Sequence, residues 1–172
     1  MEDKKIYSIY FDASATRGED GEAGTAGIAY VIRKGVKKSG AVLLIKSEEH
    51  EYIKRTHKLE YAALVAATTA ALIHVPEGAS VHFYGDCGAA ISLFKKKRKF
   101  LQRSMNERFS EIEFTKIRSK RNTEAHKLAL KTNRAARRAV RGKREEVVDM
   151  LEYCEGCIIR QPLAEMQKGA IA

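Results

Sequence analysis

Three acidic residues lie where predicted elements of secondary structure begin or end. Asp12 follows an alternating segment that predicts a β-strand, and Asp86 follows a second, shorter segment of the same kind. If these strands are parallel neighbours joined by a crossover helix, both aspartates emerge at the same carboxyl edge of the sheet, where open α/β sheets place their sites. Glu60 lies in the first turns of the helix between them. We therefore expect the three carboxylates to converge.

Glu60 shares its helix face with apolar residues, namely Leu64, Ala67 and Ala71. A carboxylate on such a face is costly unless something pairs with it. The alternative is a helix N-terminal Glu favoured by the macrodipole, but Glu60 comes one residue too late to form a capping box with Thr56. Converging acids without a basic partner indicate a site for Mg²⁺ or Mn²⁺. Two such ions about 4 Å apart activate water and stabilise the leaving oxygen of a phosphodiester.

The remaining sequence supplies the elements that position these acids. Strands are predicted at 4–12, 25–34, 39–46, 80–85 and 111–117, and helices at 56–74, from about 88, and at 123–139 with Asn122 as N-cap. Short glycine-containing turns join the first three strands into an antiparallel meander. The order βββαβαβα predicts an α/β fold, a mixed five-stranded sheet with helices packed on it.

Four short segments resemble the four catalytic blocks of type 1 ribonuclease H and occur in the family's order across residues 5 to 133. They are residues 9–14 (IYFDAS), 56–64 (THKLEYAAL), 84–87 (YGDC) and 121–129 (RNTEAHKLA). The resemblance implies a ribonuclease H-like fold and a two-metal hydrolase that uses Mg²⁺ or Mn²⁺, with Asp12, Glu60 and Asp86 as ligands. It also implies endonucleolytic cleavage of the RNA strand of RNA/DNA hybrids, leaving 5′-phosphate and 3′-hydroxyl ends.

His126 departs from the family pattern, because many members carry a fourth aspartate at this place. An imidazole can ligate a divalent ion or hold a water molecule, although it prefers softer metals than Mg²⁺. We take His126 as the fourth catalytic and metal-binding member of the site, and expect weaker binding of the second ion and a preference for Mn²⁺. The alternative is a surface or core histidine. Glu124 is no substitute, since two residues along a helix rotate the side chain by about 200°.

Basic residues are concentrated in two segments. The net charge is +10; residues 95–108 hold seven Lys and Arg against one acid, and residues 116–144 hold twelve against one. This segregation favours a nucleic-acid partner over general solubility. The predicted contacts to an RNA/DNA hybrid are Ser14, His57, Lys58, Lys95, Lys96, Lys97, Arg98, Lys99, Arg103, Arg121 and Asn122. For the basic run, the alternative is a solvated helix face with Phe100 and Leu101 buried.

The chain divides by composition into a catalytic domain, 1–140, and a helical C-terminal extension, 141–172. The extension holds Cys154 and Cys157, a lone CxxC that supplies only half of a zinc site and for which we expect a structural or incidental role. Three cysteines in all, with no signal peptide and no membrane span, predict a cytoplasmic protein in a reducing compartment. No obligate protein partner is evident.

Two other functions remain open on the sequence. One is a ribonuclease H-like module that binds hybrid or double-stranded RNA without cutting it, which the replacement at His126 favours. Its difficulty is that clustered carboxylates repel phosphate unless a metal accompanies them. The other is a resolvase or exonuclease acting on DNA, which the motif spacing fits less well.

Overall fold

The computed structural model describes residues 5–16, 24–33, 35–44 and 56–140. The predicted extension 141–172, with Cys154 and Cys157, lies outside the described residues. The strands are β1 (Ile6–Thr16), β2 (Gly24–Ile32), β3 (Lys37–Leu44), β4 (Ser80–Gly85) and β5 (Glu111–Lys116). The helices are α1 (Thr56–His74), α2 (Gly88–Lys97), α3 (Lys99–Arg108) and α4 (Thr123–Val140), and a 3-10 turn, Ser119–Arg121, precedes α4.

The strands form one mixed sheet in the order β3-β2-β1-β4-β5. β1, β2 and β3 are antiparallel neighbours, whereas β4 is parallel to both β1 and β5. Short connections allow β1, β2 and β3 to pair antiparallel. The parallel pairs of β4 with β1 and β5 require crossover connections, which here contain helices. The predicted α/β class and five-stranded mixed sheet are confirmed. In the described part of the chain, no helix has both the length and the apolar character needed to cross a membrane.

One predicted boundary differs from the structure by more than two residues, and one predicted helix is divided in two. β1 does not end at Asp12 but continues to Thr16, because its antiparallel pairing with β2 persists to Thr16↔Thr25 after the parallel pairing with β4 has ended at Tyr10↔Tyr84. The basic stretch forms two helices rather than one. Arg98, with φ −108° and ψ 50°, breaks the helical conformation between α2 and α3.

Helix α1 is buried on nearly all sides. Every residue from Leu59 to Thr68 is buried, because the sheet covers one side of the helix and α2 and α3 cover another. A helix enclosed in this way is apolar all round instead of amphipathic, which explains its alanine-rich sequence. Ile9, Phe11 and Phe83 fill the core between α1 and the sheet.

Helix α4 lies on the opposite face of the sheet and approaches β2 closely. A Cβ atom placed on Gly27 would lie 2.3 Å from the carbonyl oxygen of Ala129 and 2.6 Å from the backbone nitrogen of Asn133. Asn133 also accepts a hydrogen bond from the Thr25 hydroxyl at 2.8 Å and donates one to the Thr16 hydroxyl at 2.9 Å. Backbone contact at Gly27 and the buried amide of Asn133 therefore fix α4 on the sheet.

Replacing Gly27 by Ala should destabilise the protein by about 1–3 kcal/mol, because the atoms that the new Cβ would meet belong to the backbone and cannot rotate away. Urea denaturation measures the change. Gly35→Ala is the matched control, since the nearest atoms to a Cβ there lie 3.8 Å away in ordinary contact. Equal stability of the Gly27→Ala variant and wild type would contradict the close packing of α4 on β2.

Candidate metal centre

The structure brings Asp12, Glu60 and Asp86 together. One carboxylate oxygen from each residue lies within 4.8 Å of the corresponding oxygens of the other two. Asp12 and Glu60 are buried, with 2% and 7% of their surface exposed, and Asp86 is half-buried. The cluster is therefore enclosed on one side and open to solvent at Asp86.

Strand pairing and one helix contact produce this convergence. β1 and β4 run parallel and in register at Tyr10↔Tyr84, so Asp12 and Asp86 both lie two residues beyond the last paired position. Glu60 comes from α1 on the core side, where its Oε1 accepts a hydrogen bond from the backbone N–H of Ala13 at 3.1 Å. That bond attaches the first turns of α1 to β1 next to Asp12.

Burial has a large electrostatic effect on the two inner carboxyl groups. It raises the pKa of Glu60 from its ordinary 4.5 to about 10, and the negative charges of Asp12 and Asp86 act in the same direction. Burial also raises the pKa of Asp12; the neighbouring Glu60, the Ala13 amide and the His126 ring reduce that rise without cancelling it. The fold thus holds close together two acids whose ionisation it opposes.

The donor set fits a hard divalent cation. Among the described residues, the buried Oε2 of Glu60 has no hydrogen-bond partner. A buried carboxylate oxygen without a donor is unfavourable unless a cation or water completes its coordination. Mg²⁺, Mn²⁺ and Ca²⁺ all bind carboxylate oxygens, and the carboxylates of three acids at one sheet edge are typical ligands for such an ion.

His126 contacts the cluster through Asp12. Its Nδ1 lies 2.8 Å from Oδ2 of Asp12, and about half of its side chain is exposed. The imidazole does not belong to the group of three oxygens that lie mutually within 4.8 Å. Its hydrogen bond to Asp12 is therefore observed, whereas direct metal ligation by His126 stays a prediction.

Asn122 has a role that sequence reasoning missed. Its side chain is buried and donates a hydrogen bond from Nδ2 to the carbonyl oxygen of Phe11 at 2.8 Å, while the backbone carbonyl oxygen of Asn122 accepts a hydrogen bond from the backbone N–H of His126. The side chain therefore fastens the start of α4 to β1. Asn122 immediately precedes α4, as predicted for an N-cap, but its Oδ1 accepts no hydrogen bond from a described residue. Only 1% of the surface of Asn122 is exposed, and its predicted contact with nucleic acid stays a prediction. The only signal in the sequence was an Asn immediately before a helix.

The predicted nucleic-acid contacts fall into separate groups. The exposed cations of α2 and α3 are Lys95, Lys96, Lys97, Lys99 and Arg103. His57 and Lys58 are half-buried at the start of α1, and Arg121 is exposed before α4. Ser14 accepts a hydrogen bond from Asn133 at 3.2 Å, on the α4 side of β1. Their contacts with nucleic acid stay predictions.

Two residues of the basic run differ from their sequence interpretation. Phe100 is 80% exposed, so the alternative in which both apolar residues of the run are buried is wrong; Leu101 is half-buried against the core. The guanidinium of Arg98 lies over the ring of Tyr61 at 5.6 Å, and its Nε donates to the Tyr61 hydroxyl at 2.6 Å. Arg98 thus links the α2–α3 junction to the residue that follows Glu60.

Several solved structures resemble this chain. No protein-family model matches the chain, and no curated protein matches it. The chain is similar to LC11-RNase H1, isolated from compost by a metagenomic approach, with 21% identity, 77% of this chain and 98% of that one covered, and a TM-score of 0.52. The chain whose structure is described here therefore has the ribonuclease H-like fold.

Two further structures support that fold. LC11-RNase H1 in complex with an RNA/DNA hybrid is 20% identical, with 76% of this chain and 98% of that chain covered and a TM-score of 0.51. The N-terminal RNase H domain of a Mycobacterium tuberculosis protein is 14% identical, with 77% and 97% covered and a TM-score of 0.51. The predicted resemblance to type 1 ribonuclease H is confirmed for the architecture.

In EDTA, the Glu60→Gln variant should be more stable than wild type at about pH 8, by at least ~1 kcal/mol. The folded-state pKa of Glu60 lies above its ordinary value of 4.5, so the folded protein binds its proton more tightly. This tighter proton binding stabilises folded wild type. Its contribution to the free energy of unfolding is present in full below the unfolded-state pKa of Glu60 and is lost as the pH rises toward 10. At about pH 4 the two proteins should differ least, because Glu60 is protonated in both states.

Thermal unfolding across this pH range measures the effect, with exposed Glu77→Gln as the matched control. Addition of Mg²⁺ or Mn²⁺ should stabilise wild type more than Glu60→Gln. Identical pH profiles for wild type and Glu60→Gln would show that the Glu60 carboxyl is not held in an unfavourable environment.

Proposed function

We propose that this protein is a ribonuclease H, a metal-dependent endonuclease that hydrolyses the RNA strand of RNA/DNA hybrids and leaves 5′-phosphate and 3′-hydroxyl ends. The main support is the cluster of Asp12, Glu60 and Asp86, whose ligand oxygens lie within 4.8 Å of one another. The cluster is formed by residues of β1 and α1 and by the residue that follows β4 in a ribonuclease H-like fold. A neighbour of that fold, LC11-RNase H1, was solved with an RNA/DNA hybrid bound.

In this proposal Asp12, Glu60 and Asp86 hold two Mg²⁺ or Mn²⁺ ions. When bound, such ions lower the pKa of a water molecule and offset the charge of the leaving oxygen. The chain's part is to orient the ligands: the Ala13 N–H donates to Glu60 and to Asp12, and His126 contacts Asp12 from the solvent side. No side-chain nucleophile is required by this chemistry.

The exposed cations of α2 and α3 would contact the phosphates of the hybrid, together with Arg121, His57 and Lys58. Phosphate contacts position a duplex without reading its sequence, so we propose cleavage that is not sequence-specific. Phe100, exposed among these cations, offers an apolar contact to the same duplex. Discrimination of RNA from DNA requires contacts to 2′-hydroxyl groups, for which the start of α1 beside Glu60 is our candidate.

A non-catalytic hybrid-binding module is the second candidate. The observation that favours it is the hydrogen bond between His126 and Asp12, where the family usually has an acid. The argument against this module is that burying Asp12 and Glu60 together is costly. A module that binds phosphate without a metal gains nothing from this buried pair of acids.

We also propose that residues 1–140 form the catalytic domain, with 141–172 as an extension, and that the protein works in the cytoplasm.

The Asp86→Asn variant should cleave an RNA/DNA hybrid at least about a hundredfold more slowly than wild type, because loss of a ligand carboxylate weakens the metal site. A labelled hybrid is incubated with each protein in Mg²⁺ and then in Mn²⁺, beside double-stranded DNA and double-stranded RNA. Glu77→Gln, which removes an exposed carboxylate elsewhere, should cleave at the wild-type rate. Wild-type protein that binds the hybrid but leaves it intact in both metals would favour the binding module.

The His126→Ala variant separates the two roles of the histidine. If His126 positions Asp12, this variant should lose about 10- to 100-fold in activity yet keep most of the thermal stabilisation by Mn²⁺. If His126 is itself a ligand, both should fall together, as in Asp86→Asn. Unchanged activity of His126→Ala would remove the residue from the site altogether.

A further inference from the structure

Helix α4 carries a continuous row of cations on the side that faces away from the sheet. We name it the α4 stripe; its members are Lys127, Lys131, Arg134 and Arg138. Their spacing of four, three and four residues places them on one side of the helix. All four are exposed. The side that packs on the sheet is formed by Ala125, Ala129, Thr132, Asn133 and Ala136.

The α4 stripe has no free counter-charge within its helix, because the one acid of α4, Glu124, is paired with another cation. No acidic residue occurs between positions 125 and 140. Glu124, the acid at the start of α4, forms a salt bridge with Lys37 of β3. Over the described ranges, none of the four stripe side chains forms a salt bridge or a side-chain hydrogen bond with another residue. Like charges three and four residues apart repel each other, so the stripe opposes helix formation.

The helix dipole accounts for only part of this charge. Cations in the last turn, such as Arg138, are favoured by the negative end of the dipole. Lys127 lies in the second turn, near the positive end, where a cation gains nothing from it. Solubility does not explain the row either, because a soluble surface does not require charges of a single sign along one side of a helix. A bound polyanion removes the repulsion along the whole row.

The stripe is separate from the exposed cations of α2 and α3. It begins at Lys127, directly after the histidine that contacts Asp12, and runs about 16 Å along α4 at 1.5 Å per residue. Helix α4 lies on one face of the sheet, whereas α2 and α3 pack with α1 on the other. One end of the stripe is therefore close to the carboxylate cluster, and the other is far from it.

We propose that the α4 stripe is a second binding surface for the phosphate backbone of nucleic acid. A backbone that leaves the carboxylate cluster past His126 meets four cations in succession along α4. The contacts neutralise phosphates and carry no sequence information. The proposal rests on the proposed function only in the choice of a hybrid duplex as the probe, since binding by the stripe requires no cleavage.

The test measures binding of a fluorescently labelled RNA/DNA hybrid to the full chain in EDTA by anisotropy. Without a divalent ion the carboxylate cluster offers phosphate no cation, so the basic surfaces dominate binding. The variant K131Q/R134Q/R138Q removes three charges and leaves Lys127, next to His126, in place. At low salt we expect its Kd to rise at least about tenfold, and the slope of log K against log salt to become shallower by roughly two to three.

Two controls isolate the stripe from charge in general. The variant K131R/R134K/R138K keeps each charge at its position and should bind like wild type. Lys5→Gln removes one exposed cation immediately before β1 and gives the effect of net charge alone. An unchanged Kd and salt slope in K131Q/R134Q/R138Q overturns the proposal, as does a loss per charge no greater than that of Lys5→Gln.

One competing occupant is the acidic segment 145–155 of the same chain. If it covers the stripe, K131Q/R134Q/R138Q should bind the hybrid like wild type but unfold at a lower temperature in low salt. That result also overturns the proposal. Failure of the hydrolase proposal leaves the stripe untouched, because a hybrid that binds through α4 without being cut would still bind more weakly to the triple variant.

Discussion

The burial of Asp12 against Glu60 is the constraint on which the rest of the site depends. Two carboxyl groups packed together inside a protein resist ionisation, and the raised pKa of each expresses that cost. The surrounding structure must therefore be stable enough to hold them in place. It does so with an almost wholly buried helix, α1, packed against the central strand of the sheet. A bound cation would turn this unfavourable pair into a strong ligand set.

β1 supplies the geometry because it loses one of its two neighbours part-way along its length. Its first half pairs in parallel with β4, and its second half pairs only with β2. Asp12 lies just past the point where β4 ends, so its side chain has space to meet Asp86 and Glu60. A strand fully paired on both sides at this position would leave no opening for a cluster of carboxylates.

Helix α4 connects the site to the opposite face of the sheet. It is held by close packing at Gly27 and by the buried amides of Asn122 and Asn133. This rigid seating places His126 within hydrogen-bond distance of Asp12 and turns the cations of the helix outward. The same attachment thus serves two purposes: it orients an acid of the cluster and presents a basic surface to solvent.

The sequence by itself determined the order of the elements and the three acids. The bounds of α1 and β4 match the structure residue for residue, because hydrophobic periodicity and the breakers Pro76 and Gly78 are local signals. The convergence of Asp12, Glu60 and Asp86 followed from strand order, which the pattern βββαβαβα restricts to few possibilities.

Only the tertiary structure decided which side chains act through one another. Asn122 bonds to Phe11 across 111 residues, and His126 to Asp12 across 114. Arg98 was predicted to contact nucleic acid, yet its guanidinium is engaged with Tyr61, 37 residues away. The physical reason is that a hydrogen bond depends on the relative position of two elements to within a fraction of an ångström. Periodicity along the chain shows which face a residue occupies, but it carries no information about the atom that it meets there.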